Sequence, residues 1–311
     1  MPSTALEEDE EDKIIEIVFE EVRAFEKANN KKIPIILGAG SNCTKDAVRY
    51  CERAKKAGAD AVLVVTPYYN KPSDEGIYRH FEAVSKVGIP VVVYNIQGRT
   101  GRNIETSLLE RIVQLPNMVA VKEASGNVSQ MMDVIAKIKL KNPDFAVLSG
   151  DDSLSLPLIA AGGDGVISVV SNIAPTEVTN LVQSALNDDM SKARELHYKL
   201  LPFFKGIGIY KYAQVITKVC SLYLGSTCPE WAKKIDETLC YGIISDVLKG
   251  GNFGRLDETR KTSGMMVSEH GKGGMKHGKI YNLFRTLHTS TLIVYPIVKK
   301  VPVLYPFLYV W

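Results

Sequence analysis

The chain has 311 residues, 45% hydrophobic and 23% charged, with a formal net charge of +3; this is the composition of a soluble globular protein with ample material for a buried core. Its five cysteines, Cys43, Cys51, Cys220, Cys228 and Cys240, are odd in number and contain no Cys-x-x-Cys pair, which argues against a zinc site or a disulfide framework. The charge is uneven: residues 204–311 hold 15 Lys and Arg against 7 Asp and Glu, leaving 23 against 28 before them, as two segments of separate origin would.

The opening, Met1-Pro-Ser-Thr-Ala-Leu-Glu-Glu8, is acidic where a signal peptide is basic and then apolar, so a cytoplasmic location with reduced thiols is expected. Thr4-Ala-Leu-Glu7 reads as a capping box, and Ile14, Ile15, Val18, Phe19, Val22 and Phe25 recur at helical spacing behind it. Ile33-Pro-Ile-Ile-Leu37 is then a strand leading into Gly38-Ala-Gly40, followed by a helix through Ala47, Val48, Cys51 and Ala54 that stops at Gly58. Ala61-Val-Leu-Val-Val65 runs into Thr66-Pro-Tyr-Tyr-Asn70, and a helix with Ile77, Phe81 and Val84 ends at Gly88. Pro90-Val-Val-Val-Tyr94 resumes the strand pattern, and Leu108, Leu109, Ile112 and Val113 give a helix ended by Pro116. Val119-Ala-Val121 is a strand that delivers Lys122; the helix after it carries Val128, Met131, Met132, Ile135 and Ile138, with the methionines read as core filler. Phe145-Ala-Val-Leu148 leads into Ser149-Gly-Asp-Asp152, Gly165-Val-Ile-Ser-Val-Val170 into Ser171-Asn-Ile-Ala-Pro175, and one long helix runs from about Thr176 to about Phe204.

Six nearly continuous Val/Ile/Leu strands alternating with helices indicate a parallel sheet covered by helices. A doubly wound dinucleotide fold is the weaker choice, because Gly38-Ala-Gly40 lacks the third glycine of its fingerprint. In a closed barrel the carboxyl ends of the strands converge, and here those ends carry Tyr68, Tyr69, Tyr94, Asn95, Lys122, Glu123, Asp151 and Asp152. An isolated lysine is usually a solvated surface group; one at a barrel strand end is where amine chemistry can be done.

Five motifs, Val65-Thr-Pro-Tyr-Tyr-Asn70, Tyr94-Asn95 with Arg99-Thr-Gly101, Val121-Lys-Glu-Ala-Ser-Gly126, Leu148-Ser-Gly-Asp-Asp152 and Gly165-Val-Ile-Ser-Val169, stand in the order and spacing of dihydrodipicolinate synthase. Residues 1–204 resemble that class I pyruvate aldolase family, which shares its superfamily with N-acetylneuraminate lyase. The resemblance implies a (β/α)8 TIM barrel, condensation of pyruvate with L-aspartate semialdehyde, no cofactor or metal beyond the covalent Schiff base, and a homo-oligomer. It implies Lys122 as the Schiff-base lysine, Tyr94 as the tyrosine that relays protons there, and Tyr69 as the tyrosine lent across a dimer interface. Arg99 resembles the arginine that holds the semialdehyde carboxylate, and Ile167 the residue whose backbone carbonyl walls the pyruvate site. The alternatives are an impaired fragment or fusion of the family, or an aldolase of the neuraminate-lyase kind with another substrate.

Against that pattern the count is six βα units of eight, with the two leading strands and their Gly-Thr-Thr turn missing, so an N-terminally truncated barrel with two open strand edges is expected. Gln97 stands where the family usually has proline, which loosens the loop aiming Arg99. Residues 205–311 form a separate, basic and mainly helical segment, with apolar positions at helical spacing from Ala213 to Val247. Its order through Lys249-Gly-Gly-Asn-Phe-Gly-Arg255 resembles the C-terminal part of an uncharacterised nucleotidyltransferase-like family, without the acidic pair such a transferase uses to bind metal. His270 and His277 lie on a Gly- and Lys-rich stretch read as a flexible loop and not a metal site, and no aromatic-basic motif supports nucleic-acid binding. Thr291–Trp311 is apolar but broken by Pro296, Pro302, Pro306 and Lys299-Lys300, which argues against a membrane span and leaves a membrane-surface or partner contact as the alternative.

Overall fold

Six times in succession a short strand feeds a helical segment. In the computed structural model, which describes residues 8–172, 174–209, 292–294 and 307–310, α1 (Glu8–Asn29) precedes β1 (Ile35–Gly38), α2 (Thr44–Ala57), β2 (Ala61–Val65), α3 (Asp74–Ser85) and β3 (Val91–Asn95). Then come α4 (Gln97–Thr100), α5 (Thr106–Ile112), β4 (Met118–Glu123), α6 (Val128–Val134), β5 (Ala146–Ser149), α7 (Ser155–Ala160), β6 (Gly165–Val166), α8 (Pro175–Leu186) and α9 (Met190–Ile209). β1 to β6 lie side by side in chain order, every pair parallel.

The strands read as continuous apolar runs because both faces are covered. Ile36, Leu63, Val65, Val92, Tyr94, Ala120, Leu148 and Ile167 form one cluster on the concave, inner face. The alternate residues, among them Ile35, Val62, Val64, Val93, Val121 and Val147, pack outward against Phe81, Leu109, Ile112 and Met131 of the helices. Each such fully buried aliphatic side chain contributes about 1.5–3 kcal/mol relative to exposure. Gly58 ends α2 in the left-handed conformation, with φ 85°, as its place in the sequence suggests. At Gly40 a Cβ would lie 2.6 Å from Val65 Cγ1, so only glycine lets the chain leave β1 this close to β2.

Several expectations change. The single long helix from Thr176 is two, α8 and α9, because the chain turns at Asn187–Asp189 with Asp188 at φ 60°. α6 passes into a wider helical turn at Ile135–Lys139; Met131 is core, whereas Met132 is half exposed. Phe25 at the end of α1 is also exposed. The expected open edge at β1 is occupied: β8 (Phe307–Val310) pairs with it in parallel, Ile35 opposite Leu308 and Leu37 opposite Val310. β7 (Leu292–Val294) pairs antiparallel with β8 and lies beside β6. Within the segment read as mainly helical, the described residues are therefore the end of α9 and two strands, which satisfy backbone groups an unpaired edge would expose. The capping box at Thr4, the apolar positions from Ala213 to Val247, the Lys249–Arg255 motif, His270 and His277 lie outside the described residues. No helix among the described residues is long and apolar enough to cross a membrane.

His80 joins α3 to α2: its Nδ1 is 2.9 Å from Thr44 Oγ1, and its buried Nε2 has no hydrogen-bond partner. Burial pushes its pKa down to about 4. Between the unfolded value of about 6.5 and 4 the unfolded chain binds the extra proton, so stability falls as pH drops through that window, by about 3 kcal/mol in all. Urea unfolding at pH 7, 5.5 and 4 should show this slope, flattened in His80→Gln; equal slopes in both proteins contradict the assignment.

Candidate active site

The register between β3 and β4 sets Tyr94 opposite Lys122 and Asn95 opposite Glu123. Because side chains alternate along a strand, the first pair points into the barrel and the second outward beneath the helices. Lys122 is 3% exposed, and its Nζ lies 4.1 Å from the centre of the Tyr94 ring. Its stem has room because the neighbouring strand end is glycine: a Cβ on Gly150 would lie 3.0 Å from Lys122 Cγ and Cε and 2.7 Å from Ala124 Cβ. Burial pulls the Lys122 pKa down to about 7, with the Asp152 carboxylate opposing the fall. The amine is thereby neutral in a large fraction of molecules near neutral pH, as a nucleophile must be.

Ile167 follows β6, faces the same interior, and is tied to β5 by its N–H, which donates to the Ser149 carbonyl at 2.8 Å. The turn after it is held by Asp152, whose Oδ2 accepts from the N–H groups of Val169 (2.9 Å) and Val170 (3.2 Å). Burial raises the Asp152 pKa, against hydrogen bonds from Ser168 and those two amides. Its Oδ1 is buried without a hydrogen-bond partner, as is Thr66 Oγ1 just beyond β2. Two unsatisfied polar atoms at strand carboxyl ends are what a polar substrate can complete.

Lys122, Tyr94 and Ile167 therefore come together in the barrel interior. Arg99 is exposed on α4, the single turn that leaves β3. Tyr69 is 90% exposed and sits at φ 73°, an unfavourable backbone for a bulky residue, so it projects from the rim and not toward its own Lys122. Glu123, wholly buried, accepts from the side chains of Asn95 (3.1 Å) and Gln130 (3.3 Å) and from the Ser125 N–H (2.7 Å). Alternation alone places Glu123 opposite in facing to Lys122; its partners, up to 28 residues away, are visible only in the fold. Among the described residues no group of three or more His, Cys, Asp or Glu is arranged to hold a metal ion, and Cys43 and Cys51 are free thiols.

Residues 3–229 match the profile of the Dihydrodipicolinate synthetase family. The chain belongs to that family. A 4-hydroxy-tetrahydrodipicolinate synthase of Protochlamydia amoebophila is 49% identical over 204 residues, covering 65% of this chain and 66% of that protein. One from Syntrophobacter fumaroxidans is 46% identical over 206 residues, 66% of this chain and 67% of its own length, so the chain spans about two thirds of these relatives. Among solved structures, the dihydrodipicolinate synthase of Aquifex aeolicus superposes with a TM-score of 0.69 at 34% identity, covering 79% of this chain and 82% of that one. A structure described as the first monomeric dihydrodipicolinate synthase variant gives a TM-score of 0.72 at 35% identity, with 80% and 81% covered. The six parallel strands form a curled half-barrel, a truncated form of the synthase barrel, as the ordered motifs and the strand count imply.

The depressed pKa has a direct readout. Reductive methylation of Lys122 with formaldehyde and cyanoborohydride, followed residue by residue by mass spectrometry, should speed up about tenfold per pH unit below about 7 and level off above it. A rate that keeps rising to pH 10 would mean an ordinary, solvated lysine.

Proposed function

We propose that the chain is a pyruvate-dependent class I aldolase that condenses pyruvate with L-aspartate semialdehyde, the reaction for which its relatives are named. The observation that carries this reading is Lys122, a buried amine with a pKa near 7 facing Tyr94 inside the barrel. The neutral amine attacks the ketone carbon of pyruvate, and loss of water leaves an iminium. That cation draws electrons from the pyruvate methyl, which gives up a proton; the resulting enamine carbon attacks the aldehyde carbon of the second substrate. The amino group of the semialdehyde then attacks the imine carbon, closing the ring and releasing the lysine. The iminium is itself the electron sink, so the sequence calls for no cofactor or metal.

The Tyr94 hydroxyl is assigned the proton transfers at carbinolamine and imine, since its ring already abuts the amine. The Ile167 carbonyl, at the far wall of the same interior, is assigned to the pyruvate side. Arg99, a fixed cation on the rim, suits the carboxylate of the incoming semialdehyde. Tyr69, held outward at the rim, is placed to serve a second copy of the chain, which supports a homo-oligomeric enzyme. Residues 205–311 are read as a separate, basic segment added to this barrel, on the charge asymmetry of the chain.

Incubation with pyruvate and borohydride should fix a pyruvate-derived mass on Lys122, and Lys122→Arg should lose both the adduct and about a thousandfold or more in kcat of coupled turnover with aspartate semialdehyde. Folded protein that leaves Lys122 unmodified overturns the proposal. An adduct without turnover would keep the Schiff-base chemistry and reject this aldehyde.

A further inference from the structure

The loop that carries Arg99 leaves β3 at Asn95 and returns at Asn103–Ile104, and both of its ends are tied to one side chain. Asn95 Nδ2 donates to Asn103 Oδ1 at 2.9 Å, and the Ile104 N–H donates to Asn95 Oδ1 at 3.0 Å. Within the loop, Thr100 Oγ1 donates to the Arg102 carbonyl at 2.8 Å, which tightens the turn after Arg99 in the absence of a proline at position 97. Asn95 is held in turn by Glu123. Gln130, at the start of α6, bridges the two: its Nε2 donates to Glu123 and to the Ile104 carbonyl at 3.1 Å, and its Oε1 accepts from Asn103 Nδ2 at 2.7 Å.

Every group that meets Glu123 is an N–H donor: two side-chain amides and the Ser125 backbone. Such a site demands a side chain that only accepts, which an ionised carboxylate is and an amide is not. Its side-chain oxygens are held from β3 through Asn95, from the turn after β4 through the Ser125 N–H, and from α6 through Gln130. A buried, fully used carboxylate fixes its partners more tightly than a neutral group does. Tyr94 and Lys122 are the immediate chain neighbours of Asn95 and Glu123, so the network also ties the rim loop to the strand pair that carries the nucleophile.

We infer that Glu123 is a positioning residue: through Asn95, Asn103 and Gln130 it holds the Arg99 loop in the geometry that receives the second substrate's carboxylate. The inference rests on the proposed role of Arg99 and concerns that step alone, since Glu123 faces away from the barrel interior and touches no reacting atom.

A double-mutant cycle separates the two claims. Glu123→Gln introduces a donor where only acceptors fit; it should raise KM for aspartate semialdehyde about tenfold, with pyruvate trapping on Lys122 unchanged. Arg99→Ala should raise the same KM, and adding Glu123→Gln to Arg99→Ala should then produce no further rise. In Glu123→Gln/Gln130→Glu, which keeps one carboxylate and one amide in the network, part of the affinity should return. If Glu123→Gln does not fold, Asn103→Ala enters the same cycle in its place, because Asn103 is half-buried and belongs to the same network. Equal effects of Glu123→Gln with and without Arg99, or loss of trapping along with affinity, overturn the inference. An Arg99→Ala enzyme with unchanged KM overturns the role of Arg99 itself, and the positioning role with it.

Discussion

The pairing of β3 with β4 is the constraint on which the rest depends. In the observed register Lys122 stands opposite Tyr94 on the inner face and Glu123 opposite Asn95 on the outer one. A slip of one residue in either strand would exchange those faces, because side chains alternate with a period of two. Lys122 would then enter a layer of aliphatic helix contacts, and Glu123 would enter the barrel without its three donors. Burying the Glu123 side chain without its donors costs several kcal/mol, so Glu123 specifies the register that the Val-rich strands alone leave permissive.

The same burial that makes this arrangement selective lowers the pKa of the amine. Lys122 has a pKa near 7 because water is excluded around it, and the exclusion is the work of ordinary packing: the Tyr94 ring and the interior cluster running from Ile36 to Ile167, with Gly150 leaving room for the lysine stem. Asp152 keeps the last strand end in place by taking two backbone N–H groups on one oxygen, and its other oxygen stays unsatisfied at the barrel mouth. Stability is lowered there, since a buried polar atom without a hydrogen-bond partner weakens the folded protein.

The C-terminal strands bear on the same economy of backbone groups. β1 would present a row of unpaired N–H and C=O groups, and β8 covers them in parallel register. The apolar, proline-broken stretch near the chain's end contains β7 and β8, so part of its hydrophobic content is strand content.

Strand and helix order, the two-faced burial of β1 to β5 and the family were legible in the sequence, because continuous Val/Ile/Leu runs and five ordered motifs are local signals. The break between α8 and α9 was not, since Asn187–Asp189 carries no glycine or proline and turns through a left-handed aspartate. Nor was the pairing of β8 with β1, which joins positions more than 270 residues apart, a separation no local pattern encodes. Chain chemistry by itself determined that a lysine would end a buried strand with a tyrosine ending the strand before it. Only the tertiary structure decided that they face each other across one register, that the lysine loses its solvent, and that the carboxylate beside it turns away beneath the helices to meet Asn95 and Gln130. Facing and desolvation are set by what packs from elsewhere in the chain, and those neighbours exist only once the barrel has formed.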